Sequence, residues 1–205
     1  MIIAIIGSGN VGGALAQSFK RAGHTVLIGA KYPLSEKSIK LATMIGEDHF
    51  TSVENAAQQA EVIIITTPPD VVLSLIPQLG NVTGKTLIDA TNSVRTKPDG
   101  FATAYDAIKE KTGSHLVVKC FNTTGFENML NPNYQGEGID MFCAGDSKEA
   151  KAIATQLSKD IGFGGCYDFG GDDKVQLLEQ LALSWINLAI MQGHGRNLAF
   201  KIVHR

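Results

Sequence analysis

A glycine-rich turn stands between an apolar run and a helical pattern at the start of the chain, in the sequence MIIAIIGSGNVGG. A strand, a turn and a helix in this order give the pattern Gly-x-Gly-x-x-Gly its meaning as a dinucleotide-binding motif. Gly7 would permit the tight turn, Gly9 would let the backbone approach a pyrophosphate, and Gly12 would allow close packing of the helix on the strand. The free N–H groups of the helix would face the phosphates. We therefore predict a dinucleotide site here, with an ordinary tight turn as the alternative.

The second strand, predicted at Thr25–Ile28, indicates which dinucleotide is bound. An NAD enzyme usually carries Asp or Glu about 20 residues past the glycines, where the carboxylate binds the ribose hydroxyls. This chain has Ala30 and Lys31 at that place, and no carboxylate appears before Glu36. A lysine attracts a 2′-phosphate that a carboxylate would repel. The pattern favours NADP(H) over NAD(H). Lys37 is a second candidate cation. The alternative for Lys31 is a solvated charge at the surface.

The composition excludes several classes of protein. With 205 residues, 44% hydrophobic and 19% charged, the chain has the size and composition of a globular protein with a single core. A net charge of −2 gives no sign of nucleic acid or acidic lipid as a partner. The first residues lack the basic segment of a signal peptide, and the longest apolar stretch, 181–191, is too short to cross a bilayer. We predict a protein with no membrane and no nucleic acid partner.

The three cysteines are Cys120, Cys143 and Cys166, and they are widely spaced in the sequence. Neither a zinc site nor a disulfide framework fits that spacing. We predict reduced, mostly buried thiols, no metal, and a cytoplasmic localisation.

Strand and helix patterns alternate along the whole chain. The predicted strands after the first two are Val62–Thr66, Thr86–Ala90, Leu116–Cys120, Met141–Ala144 and Gly165–Asp168. The predicted helices are Ser35–Ile45, Val53–Ala60, Asp70–Leu75, Phe101–Lys111, Lys148–Ile161 and a last one from Val175. This alternation predicts an α/β fold, a doubly wound and mainly parallel Rossmann sheet with a small C-terminal helical extension. We divide it into a dinucleotide-binding domain at 1–145 and an extension at 146–205, within one compact unit.

The last helix, from Val175, is apolar on nearly every side, from Leu177 to Ile190. Such a helix must be buried on nearly every side. Closing the core of a monomer is one way to bury it, and a two-fold interface is another. We favour a homodimer.

Several segments together resemble one family, the NADPH-dependent coenzyme F420 reductases, which also include the cytoplasmic domain of membrane metalloreductases. These segments are Gly7-Ser-Gly-Asn-Val-Gly12, Leu27-Ile-Gly-Ala-Lys31, Thr66-Thr-Pro68, Val118-Lys-Cys-Phe-Asn-Thr123, Ala144-Gly-Asp-Ser-Lys-Glu-Ala150 and Leu178-Glu179. They follow one another in the family's order over nearly the whole chain.

The resemblance implies a set of site residues. The pyrophosphate would be held by Gly7, Ser8, Gly9, Asn10, Val11 and Gly12, and the 2′-phosphate by Ala30 and Lys31. Thr67 and Pro68 would lie along the cofactor. The nicotinamide and acceptor pocket would be lined by Asn92, Cys120, Phe121 and Asn122.

The chain departs from the family pattern in three places. Lys31 stands where arginine is usual, which replaces bidentate phosphate recognition with a point charge. Cys120 stands where alanine is common. The sequence Asp168-Phe-Gly-Gly-Asp-Asp173 replaces a different turn, which we expect near the acceptor.

The chain offers little acid–base apparatus beside a reacting carbon. His194 is the one histidine in a predicted turn, and we expect a capping or solvent-facing role for it rather than a place in a cleft. For Lys119, a structural ion pair is favoured over catalysis. Asn122 is a candidate for positioning the ligand, because a neutral amide can bind a carboxamide or a flavin-like carbonyl. A short C-terminal extension also argues against the β-hydroxyacid and imino-acid dehydrogenases, which add a long helical substrate domain.

These observations predict an NADP(H)-dependent oxidoreductase that transfers hydride between NADPH and a small-molecule redox acceptor. The resemblance implies a deazaflavin (F420) or a free flavin, FMN or FAD, as the acceptor, and the missing acid–base apparatus agrees, since such chemistry requires alignment and little else from the protein. Two alternatives stay open, a non-catalytic NADP(H)-sensing dimer and a flavin-mediated ferric reductase.

Overall fold

The computed structural model describes residues 1–30, 35–46 and 49–205. In chain order the strands are β1 Ile2–Ile6, β2 Thr25–Gly29, β3 Phe50–Thr51, β4 Val62–Ile65, β5 Thr86–Asp89, β6 Val117–Lys119, β7 Asn133–Tyr134, β8 Glu137–Gly138, β9 Asp140–Cys143 and β10 Gly165–Asp168. The α-helices are α1 Asn10–Arg21, α2 Glu36–Ile45, α3 Val53–Gln59, α4 Val72–Leu75, α5 Ala104–Thr112, α6 Phe126–Leu130, α7 Lys148–Asp160 and α8 Val175–Ile186. Turns of 3-10 helix flank α4 at Pro69–Val71 and Ile76–Leu79, and α8 continues into a π-helical turn at Asn187–Met191.

The main sheet is parallel, and its strand order places the site. Within the described residues, six strands pair in the order β3-β2-β1-β4-β5-β6. Ile5 of β1 lies opposite Ile28 of β2 on one side and Ile64 of β4 on the other. The chain winds in opposite directions from β1, so the crevice at the carboxyl ends of β1 and β4 is the place where such sheets bind dinucleotides. The predicted doubly wound α/β fold is confirmed.

Both faces of the sheet are buried, which explains the continuous apolar runs of its strands. On one face Ile3 and Ile5 pack with Phe19 of α1, and on the other Ala4 and Ile6 pack with Ala56 of α3. Because successive side chains of a strand alternate between faces, one apolar run supplies two cores. Burial of both faces holds the carboxyl ends of the strands in a fixed order.

Local signals account for the bounds of the helices. The helical pattern predicts a start at Phe101, but α5 begins at Ala104 because Thr103 forms a capping box with Asp106. The helix ends at Gly113, whose φ of 65° is left-handed. Patterning missed the short helix α6 and the β7–β8 hairpin, which occupies the predicted 131–138 loop.

The C-terminal residues extend the fold beyond β6. Strands β9 and β10 pair in parallel, and Ala144 bridges to Lys119 of β6 in the antiparallel sense. After α8 the chain turns back, and the Trp185 indole Nε1 donates a hydrogen bond to the Leu198 carbonyl at 2.6 Å. Among the described helices, none combines the length and apolar character needed to cross a membrane.

Candidate functional site

The glycine turn between β1 and α1 is held by the neighbouring strands. Gly7 has a φ of 117°, which side chains rarely adopt, and its N–H donates to the Gly29 carbonyl of β2 at 3.0 Å. From β4, the Thr66 hydroxyl lies 3.0 Å from the Ile6 carbonyl and 3.2 Å from the Gly7 carbonyl. The turn is therefore fixed from both sides before any ligand arrives.

The glycines of the turn have different surroundings. A Cβ atom at Gly12 would lie 2.1 Å from the Gly7 carbonyl oxygen, so the start of α1 packs directly against the turn. A Cβ atom at Gly9 would meet nothing within 4 Å. The open space above Gly9 is where a pyrophosphate would approach the backbone, and the N–H groups at the start of α1 face it. The residues present thus fit a dinucleotide.

A cleft of about 440 Å³ opens over this turn. Six of the predicted cofactor residues line it, and they are Gly7, Ser8, Gly9, Ala30, Thr67 and Pro68. In the described part of the chain, its lining contains no acidic, basic, histidine, cysteine or tyrosine side chain. A larger cavity of about 780 Å³ lies at the amino ends of β5 and β6, between the Gly80–Gly84 loop and the residues before β6. Its lining contains no residue of the glycine motif.

The residues predicted to select the 2′-phosphate lie at the end of β2. Ala30 is buried, whereas Lys31 falls outside the described residues, as does the side chain of Lys37. The Ser8 hydroxyl is 2.7 Å from that of Ser38, which also accepts a hydrogen bond from Ser35 at 2.9 Å. Ser35 caps α2. These hydroxyls join the glycine turn to the beginning of α2.

The second group of predicted residues lies at the carboxyl ends of β5 and β6. The structure brings Asn92 and Asn122 together, with Asn122 Nδ2 donating to Asn92 Oδ1 at 3.2 Å. Among the described residues, buried Asn122 Oδ1 has no hydrogen-bond partner, and neither do the hydroxyls of Thr67 and Thr91. A buried polar atom without a partner costs about 1–3 kcal/mol, which a bound polar ligand would remove.

Cys120 and Phe121 lie between these asparagines and the core. Both are 0% exposed, and the Phe121 ring packs edge-on against Phe19 with centroids 5.9 Å apart. Their backbone groups are therefore the parts available to a cofactor. Phe121 has a φ of 61°, a left-handed conformation that is strained for a bulky residue and is found preferentially at functional sites.

The cysteines come together in the fold although they are far apart in sequence. All three are free thiols; Cys120 and Cys143 belong to one core cluster, and the partly buried Cys166 packs against that cluster. Burial raises the pKa of Cys120, which keeps this thiol protonated at neutral pH. The described residues contain no group of His, Cys, Asp and Glu side chains arranged to hold a metal ion.

Lys119 forms a buried ionic cluster with Asp89 and Glu179. Its Nζ lies 2.8 Å from Asp89 Oδ2, 2.7 Å from Glu179 Oε1 and 2.7 Å from the Thr91 carbonyl. Burial alone would lower the pKa of Lys119, but the two carboxylates outweigh it and raise the pKa. The predicted structural ion pair is confirmed.

Sequence reasoning predicted an ion pair for Lys119 but did not identify its partners. A signal existed, because Asp89 and Lys119 end adjacent parallel strands and are partners in register. Opposite charges at the ends of two buried strands predict an ion pair. Glu179 could not be found this way, since it reaches the cluster from α8, 60 residues beyond Lys119.

The Asp168–Asp173 loop lies elsewhere than expected. Asp172 accepts a hydrogen bond from the Tyr105 hydroxyl at 2.5 Å and from the Asp146 N–H at 2.8 Å. The Tyr105 hydroxyl also lies 3.3 Å from the carbonyl of Val117, the first residue of β6. The loop is thus at the amino end of β6, opposite Asn122, because β9 runs antiparallel to β6. His194 is solvent-exposed, as expected.

The fold and the cleft define a Rossmann-type protein with a candidate dinucleotide site. Comparison with known proteins identifies its relatives. Residues 2–93 match the family described as NADP oxidoreductase coenzyme F420-dependent. The chain is 28% identical to the F420-dependent NADP reductase of Methanothermobacter thermautotrophicus over 100% of this chain and 95% of that protein. The predicted family resemblance, the enzyme class and NADP as cofactor are confirmed by these matches.

Solved structures show the same fold. A candidate F420-dependent NADP reductase from Arthrobacter sp. FB24 superposes with a TM-score of 0.86 over 100% of both chains, at 24% identity. An imine reductase from Myxococcus stipitatus has a TM-score of 0.67 and 18% identity, covering 93% of this chain and 62% of its own. By its sequence matches, the chain is an NADP-dependent oxidoreductase related to the F420-dependent NADP reductases.

Proposed function

We propose that this protein transfers hydride between NADPH and a deazaflavin of the F420 type. The observation that carries the proposal is the pair of neutral amides, Asn92 and Asn122, which meet at the carboxyl ends of β5 and β6. An alcohol or hydroxy-acid substrate would require an acid or base beside the reacting carbon, whereas a deazaflavin requires alignment and exclusion of water. When bound, NADPH supplies the hydride.

The residues of the chain have distinct roles in this proposal. The N–H groups from Ser8 to Gly12 bind the pyrophosphate, and Thr67 and Pro68 lie along the cofactor. The amides of Asn92 and Asn122 hydrogen-bond the nicotinamide carboxamide or the acceptor. Cys120 and Phe121 close the pocket from below, which keeps water away from the reacting faces.

The acceptor is tested by following NADPH oxidation anaerobically with F420, FMN, FAD and a ferric chelate in separate cuvettes. We expect fast loss of nicotinamide absorbance with F420, because the related reductases are named for it. A faster reaction with FMN or FAD would identify a flavin reductase instead. Iron reduction that disappears in flavin-free buffer would mark ferric reduction as a side activity.

The choice of NADPH over NADH is assigned to Lys31. Replacing Lys31 with glutamate should reduce the preference for NADPH about 10- to 100-fold, because the new carboxylate repels the 2′-phosphate. Steady-state kinetics with both cofactors measures the ratio of kcat/KM values. Lys159→Glu, an equal charge change on the exposed side of α7, is the control and should leave the ratio unchanged. An unchanged preference in Lys31→Glu would remove this residue from cofactor selection.

A homodimer is the proposed assembly, and the exposed apolar side chains near α8 support it. Leu177, Ile190 and Met191 are 50–52% exposed although they belong to the most apolar part of the chain. The same surface keeps a second candidate function open, a sensor that binds NADP(H) without turnover and changes its association. Tight NADPH binding with no oxidation by any acceptor, together with a ligand-dependent mass in solution, would favour the sensor. For the reductase we propose a cytoplasmic localisation.

A further inference from the structure

The buried ionic cluster of Asp89, Lys119 and Glu179 contains one more carboxylate than its lysine can neutralise. Asp89 and Lys119 are 0% exposed and Glu179 is 3% exposed. A buried charge is costly unless it is paired, and a lysine with a single carboxylate would already form a neutral pair. When both carboxylates are ionised, the cluster carries a net negative charge inside the protein, and burial raises the pKa of Glu179 against that charge.

The cluster lies at the carboxyl ends of β5 and β6, next to the residues proposed to hold the nicotinamide. Asp89 and Lys119 are the last residues of β5 and β6, and the next residues of the chain lead to Asn92 and Asn122. The cluster also holds that loop by its backbone. The Thr91 N–H donates to Asp89 Oδ1 at 2.9 Å, and the Ser93 N–H donates to Glu179 Oε2 at 2.9 Å. The backbone on either side of Asn92 is therefore fixed by hydrogen bonds to the cluster.

The extra charge has a natural partner in the chemistry of the cofactor. The nicotinamide ring carries a positive charge in NADP⁺ and none in NADPH, while the rest of the two molecules is the same. A fixed negative charge in a poorly screened interior attracts the oxidised ring and leaves the reduced ring nearly unaffected. Its effect would therefore show in the relative affinity for the two forms.

We propose that Glu179 is a positioning residue that, through the cluster with Lys119 and Asp89, sets the relative affinity of the site for NADP⁺ and NADPH. The inference rests on the proposed binding of NADP(H) with its nicotinamide at the ends of β5 and β6. It gives α8 a role in the site, because Glu179 is the one cluster residue from outside the sheet. The oxidised cofactor is held more tightly than it would be over a neutral pair, which favours donation of hydride from NADPH.

The test compares the dissociation constants of NADP⁺ and NADPH in the full chain at pH 8, by calorimetry and by nicotinamide fluorescence. Glu179→Gln removes the charge and keeps the size of the side chain. We expect the ratio Kd(NADP⁺)/Kd(NADPH) to rise about three- to tenfold, as for a unit charge acting through a partly shielded interior. Glu179→Asp keeps the charge and should retain the wild-type ratio even if both affinities fall. Glu149→Gln, on the exposed side of α7, is the matched control and should change neither constant.

The outcomes separate this inference from the function on which it rests. If Glu179→Gln does not fold, Asp89→Asn removes the same charge at another position and should raise the ratio in the same direction. Equal loss of both affinities, or an unchanged ratio, in the folded variants would overturn the inference and leave the reductase proposal intact. Wild-type protein that binds neither cofactor would instead refute the proposed function.

Discussion

Replacing Gly12 with alanine should destabilise the protein by about 3 kcal/mol and abolish NADPH binding. The added methyl group would lie 2.1 Å from the Gly7 carbonyl and 2.7 Å from the Thr66 hydroxyl. Neighbouring strands hold the backbone of the turn, and the start of α1 packs against it. Neither can therefore move aside at low cost. Urea unfolding measures the stability, and calorimetry measures the binding.

Gly9→Ala separates binding from stability in the same turn. Its methyl group would meet no protein atom within 4 Å, and the residue has an ordinary φ of −72°. We expect stability within about 0.5 kcal/mol of wild type. NADPH binding should nevertheless weaken at least about tenfold, because the methyl group stands where the pyrophosphate approaches the backbone.

Gly13→Ala is the matched control one residue beyond the motif. A methyl group there would be 3.6 Å from the Leu41 side chain, an ordinary contact. Within a helix the change from glycine to alanine should stabilise by about 0.5–1 kcal/mol and leave binding unchanged. Normal NADPH affinity in Gly9→Ala would show that the cofactor does not lie over this turn.

Replacing Lys119 with methionine should lower the free energy of unfolding by a similarly large amount, for a different reason. The side chain has nearly the same length, but the carboxylates of Asp89 and Glu179 would lose the cation that both contact. Breaking a buried ion pair by removing one partner costs about 3–5 kcal/mol. Chemical unfolding at pH 8 measures this loss.

The loss of stability in Lys119→Met, called the deficit below, should also depend on pH. Burial already raises the pKa of Glu179, although Lys119 opposes the shift, and removing Lys119 takes away that opposition. A group whose pKa is raised on folding loses its contribution to stability as the pH rises. The deficit of Lys119→Met should therefore be smaller near pH 5 than at pH 8. Lys159→Met, at an exposed position, should change stability by less than about 0.5 kcal/mol at either pH. A loss of under about 1 kcal/mol in Lys119→Met would show that the cluster is not held by its charges.

Much of the fold follows from periodicity. The predicted strand Gly165–Asp168 agrees with the structure at both ends, and the predicted Val62–Thr66 differs by one residue. The strand Val62–Ile65 is buried along its whole length and Gly165–Asp168 is mostly half-buried, and in both cases a short apolar run bounded by turn residues predicts the strand. The elements that patterning missed, α6 and the β7–β8 hairpin, have five residues or fewer per helix or strand and bury little apolar surface of their own.

The candidate site also contains residues that local sequence predicts and residues that only the fold brings together. Gly7, Gly9 and Gly12 are close in sequence, and their spacing predicts the phosphate-binding turn without reference to any other part of the chain. Asn92 and Asn122 were predicted from a resemblance to a family, and their hydrogen bond depends on β5 and β6 being neighbours. The location of the Asp168–Asp173 loop was wrong because it depends on the direction of β9, which periodicity does not contain.

By itself, then, the sequence determined the strand–turn–helix of the nucleotide site, the alternation of strands and helices, and the family to which these motifs are related. Each strand, turn, helix and motif depends on residues within about 30 positions of one another, where the backbone and local patterning decide the outcome, and the family resemblance is the sum of such short motifs. Only the tertiary structure decided that Glu179 joins Lys119 and Asp89, that Phe121 adopts a left-handed conformation, and that three distant cysteines meet. Those contacts arise from strand order and helix packing, in which residues far apart in the chain are brought together by burial of a shared core.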